Sequence, residues 1–257
     1  MNKVYCVTDL HGNYELWKHI QNYLDDTDTL YCLGDNNDRG QDGIKIIQEM
    51  LVDQRVKYLL GNHECFLIGY IYRILKFIEG LDIELDKKFQ DYMNDEKVWR
   101  QYNGGVPTIN TINQMYNDNQ VDKLLDLYNQ LISLPVFAGY CNKNNQIIYL
   151  SHSGCSSKTL QEKHLEDKFF TFIENRVHLN EQHWSGKDNA FMVHGHTPIQ
   201  SITAVQDKVF PLFYCNNHKI DLDICTYVTK YAILFDLDEL YPYYVEEEKG
   251  VLDEESV

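Results

Sequence analysis

Five short stretches of this chain bring together side chains able to bind metal or move protons. In TDLHGN (8–13), Asp9 and His11 stand two residues apart, so on an extended chain they leave on the same side. They offer one oxygen and one nitrogen donor. GDNNDRG (34–40) carries Asp35, Asp38 and Arg39, and GNHE (61–64) carries Asn62, His63 and Glu64. Farther on, His152 lies in SHSG, and His194 and His196 lie in HGHTP. Each group alone is weak evidence, because a D-x-H arises often by chance. Their joint placement is what carries weight.

That placement depends on the elements between them. KVYCVT (3–8), TLYCL (29–33) and VKYLL (56–60) read as short buried strands, and each runs directly into one of the first three groups. Leu16, Trp17, Ile20, Tyr23 and Leu24 recur at helical spacing between the first two strands. Ile44, Ile47, Met50 and Leu51 do so between the second and third. Alternation of this kind implies βαβ crossovers and a partly parallel sheet, whose strand ends converge on one edge. QIIYL (146–150), AFMV (190–193), KVFPLF (208–213) and YAILFDL (231–237) signal a second sheet, with helical LEDKFFTFIENRV (165–177) among them. His152 and HGHTP follow two of these later strands.

Residues 65–134 read as mostly helical. One apolar face runs from Phe66 to Ile78 and another from Val121 to Ile132, ended near Pro135. Between them, VWRQYNGGVPT (98–108) has the adjacent glycines and proline of an irregular loop. The expected organisation is a single domain over 1–245, with 65–134 as a helical insertion or lid. The acidic tail 246–257, with six acids and one lysine, is expected to be disordered.

Composition narrows the function. The formal charge of −16 over 257 residues argues against nucleic-acid or anionic-membrane surfaces, which need clustered Lys and Arg. A phosphate-handling protein of this charge needs local cations instead. The seven cysteines form no C-x-x-C pair, which fits a reducing compartment, and a cytoplasmic location is expected. Lys3 and Asp9 interrupt the early apolar run, so no signal peptide is expected, and no run is long enough to span a membrane. His19, His164, His178, His183 and His218 lack any motif and read as ordinary surface or core residues. His194 reads as support for its neighbours, Asp42 as the N-cap of a helix over 43–52, and Glu64 as a hydrogen-bond acceptor orienting a ligand.

Taken together, TDLHGN, GDNNDRG, LLGNHE, SHSG and HGHTP resemble the calcineurin-like metallophosphoesterases, and within them the Ser/Thr phosphoprotein phosphatase branch. NGG after a tryptophan (Trp99, then Asn103–Gly105) is similar to the bacterial and phage members. Thr8 departs from the Gly that many members carry before the first Asp. The resemblance implies an α/β (α+β, four-layer) fold of two packed mixed sheets flanked by helices, a β-sandwich with a helical insertion. It implies two divalent metals, Mn²⁺ by preference and Fe or Zn²⁺ as alternatives, sharing a hydroxide that attacks phosphorus. Asp9 and His11 would hold the first metal, Asn62, His152 and His196 the second, with Asp35 bridging. Arg39 would clamp the phosphoryl group, and His63, held by Asp38, would protonate the leaving oxygen. A second phosphate-binding arginine is expected at Arg176, with Arg100 as runner-up. The implied substrate is a phosphorylated protein, with bis(5′-nucleosyl) tetraphosphates as the alternative. A non-catalytic binding protein on the same fold is a third reading, disfavoured because the ligands, Arg39 and His63 are all in place.

Overall fold

Residues 2–78, 80–203 and 209–253 are described by a computed structural model. Strands β1 (Val4–Val7), β2 (Thr29–Cys32) and β3 (Val56–Tyr58) alternate with helices α1 (Tyr14–Tyr23) and α2 (Gly43–Val52). Five helices follow, α3 (Asn62–Leu75), α4 (Gln90–Asn94), α5 (Glu96–Tyr102), α6 (Val106–Asn117) and α7 (Val121–Ile132). The second half holds β4 (Phe137–Cys141), β5 (Ile147–Ser151), the short α8 (Phe169–Glu174), β6 (Ala190–His194) and α9 (Ile199–Thr203). It closes with β7 (Leu212–Tyr214), β8 (Lys219–Asp221), α10 (Thr226–Thr229), β9 (Tyr231–Asp236), β10 (Tyr241–Glu246) and β11 (Gly250–Leu252).

These strands form two mixed sheets, ordered β11-β10-β9-β1-β2-β3 and β4-β5-β6-β8-β7. In the first, β1, β2 and β3 are parallel and β9 joins β1 antiparallel. Side chains alternate across it, as strand geometry requires. Tyr5, Val7, Leu30 and Cys32 face α1 and α2, while Cys6, Tyr31, Ile233 and Phe235 pack against Ile148, Leu150, Val193 and Ile220 of the other sheet. The expected two-sheet sandwich with flanking helices is the fold found.

Register decides where the chemistry lands. Val7 pairs with Cys32 and Cys32 with Tyr58, so β1, β2 and β3 end nearly level. Leu150 pairs with Val193, which levels β5 and β6 in the second sheet. The loops that follow all five strands therefore open on one edge of the sandwich.

The helices α3 to α7 share one apolar cluster with the first sheet. Phe66, Leu67, Trp99, Ile109, Ile112, Leu124 and Leu131 are buried together with Trp17, Ile47 and Cys32. Filling such a site with Ala in place of Leu costs about 2–5 kcal/mol.

Several local expectations need correction. Residues 250–252 of the acidic tail form β11, which pairs antiparallel with β10, and residues 254–257 lie outside the described residues. Of the stretch 98–108, only 103–105 lies outside a helix, and Pro107 sits in the first turn of α6, where its missing N–H has no partner to lose. The continuous helix over 165–177 is instead α8 between two 3₁₀ turns. Within 208–213 the strand begins only at Leu212, after Pro211, and Lys208 lies outside the described residues.

Candidate active site

The loops at this edge are built from strained turns. Of the nine expected site residues, six have left-handed backbones: Asp9 (φ 54°), His11 (44°), Asp35 (58°), Asp38 (71°), Arg39 (64°) and His196 (72°). Side-chain-bearing residues seldom adopt this region, and such strain concentrates where geometry serves function. The first two loops are laced together by backbone bonds, Asp9 N–H to Gly34 O, His11 N–H to Asp35 O and Gly12 N–H to Asn36 O. Gly12 and Gly40 touch backbone to backbone, and a Cβ on Gly12 would lie 2.6 Å from the Gly40 carbonyl carbon. That approach explains the glycine.

One carboxylate organises the second turn from behind. Glu64, fully buried, accepts from the N–H groups of Asp35 (2.9 Å), Asn36 (2.8 Å) and Gly61 (3.0 Å) and from Tyr58 Oη (2.8 Å). It orients the turn that carries Asp35 through the backbone, in keeping with the expected role of orienting His63 or a metal ligand.

Ligand atoms then converge. His152 donates from Nδ1 to Leu33 O (2.9 Å), which turns Nε2 toward Asp35 Oδ2 (3.1 Å), Asn62 Oδ1 (3.2 Å) and His196 Nδ1 (3.2 Å). His11 donates from Nδ1 to Asn37 O (3.1 Å), leaving Nε2 facing Asp9 Oδ1 at 3.7 Å. The other Asp9 oxygen is occupied by the Thr8 hydroxyl (2.6 Å) and the His196 N–H (3.0 Å). Two three-residue groups have ligand atoms mutually within 4.8 Å, His11–Asp35–His63 and Asp35–His152–His196, and Asp35 belongs to both.

A cation fits this donor set. Lone pairs of Asn62, His196 and Asp35 meeting around His152 Nε2 repel one another unless positive charge sits among them. Burial opposes charging His152, but Asp35, then Asp9 and Glu64, raise it to about 9, so the space attracts a cation. Burial also raises Asp35, yet His152 and His63 hold it well below the ordinary carboxylate range. Burial lowers His11 and His196 well below the usual imidazole value, aided by Arg39 and by His152 respectively, which suits neutral metal-binding rings.

A second arm lies beside the first. His63 Nδ1 donates to Asp38 Oδ2 at 2.5 Å, and Nε2 points toward Asp35 Oδ2 at 3.6 Å. Burial opposes protonation of His63, and Asp35 followed by Asp38 overcomes it, so its value is raised. Sequence reasoning missed what holds Asp38. Trp99 Nε1 donates to Oδ2, and Thr108 Oγ1 donates to Oδ1 at 2.6 Å while accepting the Asp38 N–H at 2.9 Å. The adjacent glycines were the available signal. Gly104 (φ 75°) takes the Arg39 N–H on its carbonyl at 2.8 Å, and a Cβ on Gly105 would strike the Trp99 ring. Asn37 sets the His11 ring by the bond above and reaches His63 O at 3.2 Å.

Of the remaining residues, Arg39 is half-buried at the turn and its charge bears on His11, His63 and Asp223. Arg176 is exposed and its charge bears on His196, whereas Arg100 is bonded to Glu96 at 2.5 Å. His194 faces away from the ligands, its Nε2 on Tyr214 Oη at 2.7 Å. Asp42 occupies the N-cap position of α2, with no side-chain capping bond.

The pattern described as Calcineurin-like phosphoesterase matches residues 2–226. The chain belongs to that family. Among curated members, a symmetrical bis(5′-nucleosyl)-tetraphosphatase of Buchnera aphidicola subsp. Schizaphis graminum is 35% identical over 70 residues, 26% of this chain and 26% of that protein. One of Delftia acidovorans is 32% identical over 70 residues, 26% and 25% of the two chains. The chain thus matches about a quarter of the length of these curated relatives. Solved structures share the fold over nearly the whole length. A cold-active protein tyrosine phosphatase has a TM-score of 0.51 at 18% identity, covering 96% of this chain and 77% of its own. A metallophosphoesterase of Sphaerobacter thermophilus has a TM-score of 0.50 at 14% identity, with 93% and 84% covered.

Proposed function

We propose that this calcineurin-like phosphoesterase hydrolyses phosphomonoesters with two divalent metals, and that its substrates are phosphoserine and phosphothreonine in proteins. The observation that carries the reading is the buried Asp38–His63 pair set against the ligand cluster. An alkoxide is a poor leaving group and needs a proton as it departs, whereas a phosphoanhydride expels a stabilised phosphate.

Asp9 and His11 would hold one ion, Asn62, His152 and His196 the other, with Asp35 between, and Mn²⁺, Fe or Zn²⁺ suits the mixed donors. Such a pair of ions would supply Lewis-acid polarisation of phosphoryl oxygens and an activated water. Arg39 presents a planar donor fork to the remaining phosphoryl oxygens. His63 carries its proton on Nε2 toward the leaving oxygen, and Asp38 fixes the ring by taking Nδ1–H. Arg176 is the better candidate for a second phosphate contact, since Arg100 is committed to Glu96.

The similarity to symmetrical bis(5′-nucleosyl)-tetraphosphatases supports a second reading, in which the same centre cleaves dinucleoside tetraphosphates. Against it, Phe66, Tyr70, Tyr92 and Trp99 of the helical segment are buried in helix packing, which leaves Phe77, Tyr102 and, less exposed, Tyr116 as the exposed rings there to stack a purine. A substrate panel with Mn²⁺ separates the two: phosphopeptides, diadenosine tetraphosphate, cyclic nucleotides and mononucleotides. We expect the highest kcat/KM on phosphopeptides. Diadenosine tetraphosphate turnover greater by orders of magnitude would transfer the assignment, and metal-loaded protein inert to every phosphoester would remove it. His63→Asn is expected to keep its metal and lose roughly 10²–10⁴-fold in turnover of alkyl phosphates.

A further inference from the structure

Asp38 is completely buried and is held by more donors than its partnership with His63 requires. Its Oδ2 receives both His63 Nδ1–H and Trp99 Nε1–H, and its Oδ1 receives the Thr108 hydroxyl. Thr108 Oγ1 also accepts the Asp38 N–H, closing a small ring that pins side chain and backbone together. An aspartate χ2 has only a broad, roughly two-fold preference of its own, so the carboxylate plane is set by its partners.

Those partners come from α5 and α6, far along the chain from Asp38. The shelf beneath Trp99 belongs to α3, the helix that starts with Asn62 and His63. Phe66 stacks on Trp99 (centroids 6.0 Å apart, planes 7° apart), and Tyr70 meets it edge-on at 5.6 Å. Residues 63, 66 and 70 share one face of a helix. One helix face therefore carries the proton donor and the aromatic support of the group that orients its partner.

We propose that Trp99 and Thr108 are positioning residues that lock the Asp38 carboxylate in the orientation aiming His63 at the leaving oxygen. The helical segment thereby governs how well poor leaving groups are expelled. This rests on His63 acting as the proton donor.

The test compares a phosphoserine peptide with p-nitrophenyl phosphate, using Mn²⁺-loaded Trp99→Phe, Thr108→Val and Thr108→Ser. Trp99→Phe keeps an aromatic ring and deletes the N–H, and Thr108→Val keeps the shape and deletes the hydroxyl. Each is expected to lose about tenfold more kcat on the peptide than on the aryl ester, with KM and metal content unchanged, and Thr108→Ser is expected to recover most of the loss. In a His63→Asn background both deletions should be nearly silent, because they act through the removed group. Equal losses on both substrates, loss of metal, no loss, or full additivity with His63→Asn would overturn the proposal. If Trp99→Phe does not fold, the Thr108→Val and Thr108→Ser pair decides. Leaving-group bias in His63→Asn with none in Trp99→Phe or Thr108→Val defeats this inference alone. Absence of bias in His63→Asn itself defeats the proton-donor reading as well.

Discussion

The His–Asp cluster around Asp35 and the Asp38–His63 pair occupy the same sheet edge but are held by different means. Asp9, His11, Asp35 and His196 stand on left-handed turns directly after strands, laced by backbone bonds between neighbouring loops. Asp38 and His63 depend on a clamp, Trp99 and Thr108, supplied by helices about sixty and seventy residues away. The cluster is thus positioned by strand register and the arm by helix packing. Damage to one should leave the other recognisable.

Substitutions should separate the two regions. Asp35→Asn removes the carboxylate common to both ligand groups and is expected to empty the centre, costing more than the roughly 10–100-fold typical of an outer partner. Metal analysis after dialysis checks this, and an Asp35→Asn protein holding two ions per chain would end the bridging role. Glu64→Gln attacks the support instead. One of its two oxygens becomes an NH₂ group, facing either the Asp35 and Gly61 N–H groups or the Asn36 N–H and the Tyr58 hydroxyl. Metal affinity is expected to fall about 10–100-fold while leaving-group dependence persists, measured by competition with a chelator.

The smallest effect on turnover concerns a network behind both regions, where His178 meets Tyr214 Oη at 3.1 Å and Tyr214 meets His194. Burial, helped by the Lys219 charge, pushes His178 from 6.5 down to about 4. The unfolded chain takes up a proton as pH falls through 6.5, and the fold does so only near 4. Stability from this residue is therefore complete above pH 6.5 and is lost progressively down to pH 4, by up to about 3 kcal/mol. Thermal unfolding of wild type and His178→Gln across pH 4–7 reads it as a slope present in the first and reduced in the second.

The same division explains what was legible in the sequence. β1, β2, β3, β5, β6 and β9 announce themselves as Val-, Tyr-, Ile- and Leu-rich runs, and the candidate ligands follow the first five. β8 does not, since its buried residues include Lys219 and Asp221, and a charged pattern reads as loop. Lys219 is accommodated by Glu181 at 2.5 Å and the His178 carbonyl at 3.1 Å, partners distant in sequence. β10 carries Pro242 and an acidic end, and β11 lies in the charged tail, so cross-strand pairing overrides composition in both. Trp99 and Thr108 share no motif with Asp38, and only folding joins them. Thr8, noted as a departure from many relatives, proves to hold an Asp9 oxygen.

The left-handed turns have a consequence for heat tolerance. Six of the fifteen described side-chain-bearing residues with left-handed backbones stand at this edge and store strain of roughly 1 kcal/mol each, a total of the same order as the 5–15 kcal/mol net stability of a typical domain. The loops at the sheet edge therefore have the most to release when cohesion weakens. They should relax before the strands separate, so that catalysis fades on warming while the sandwich beneath is still intact.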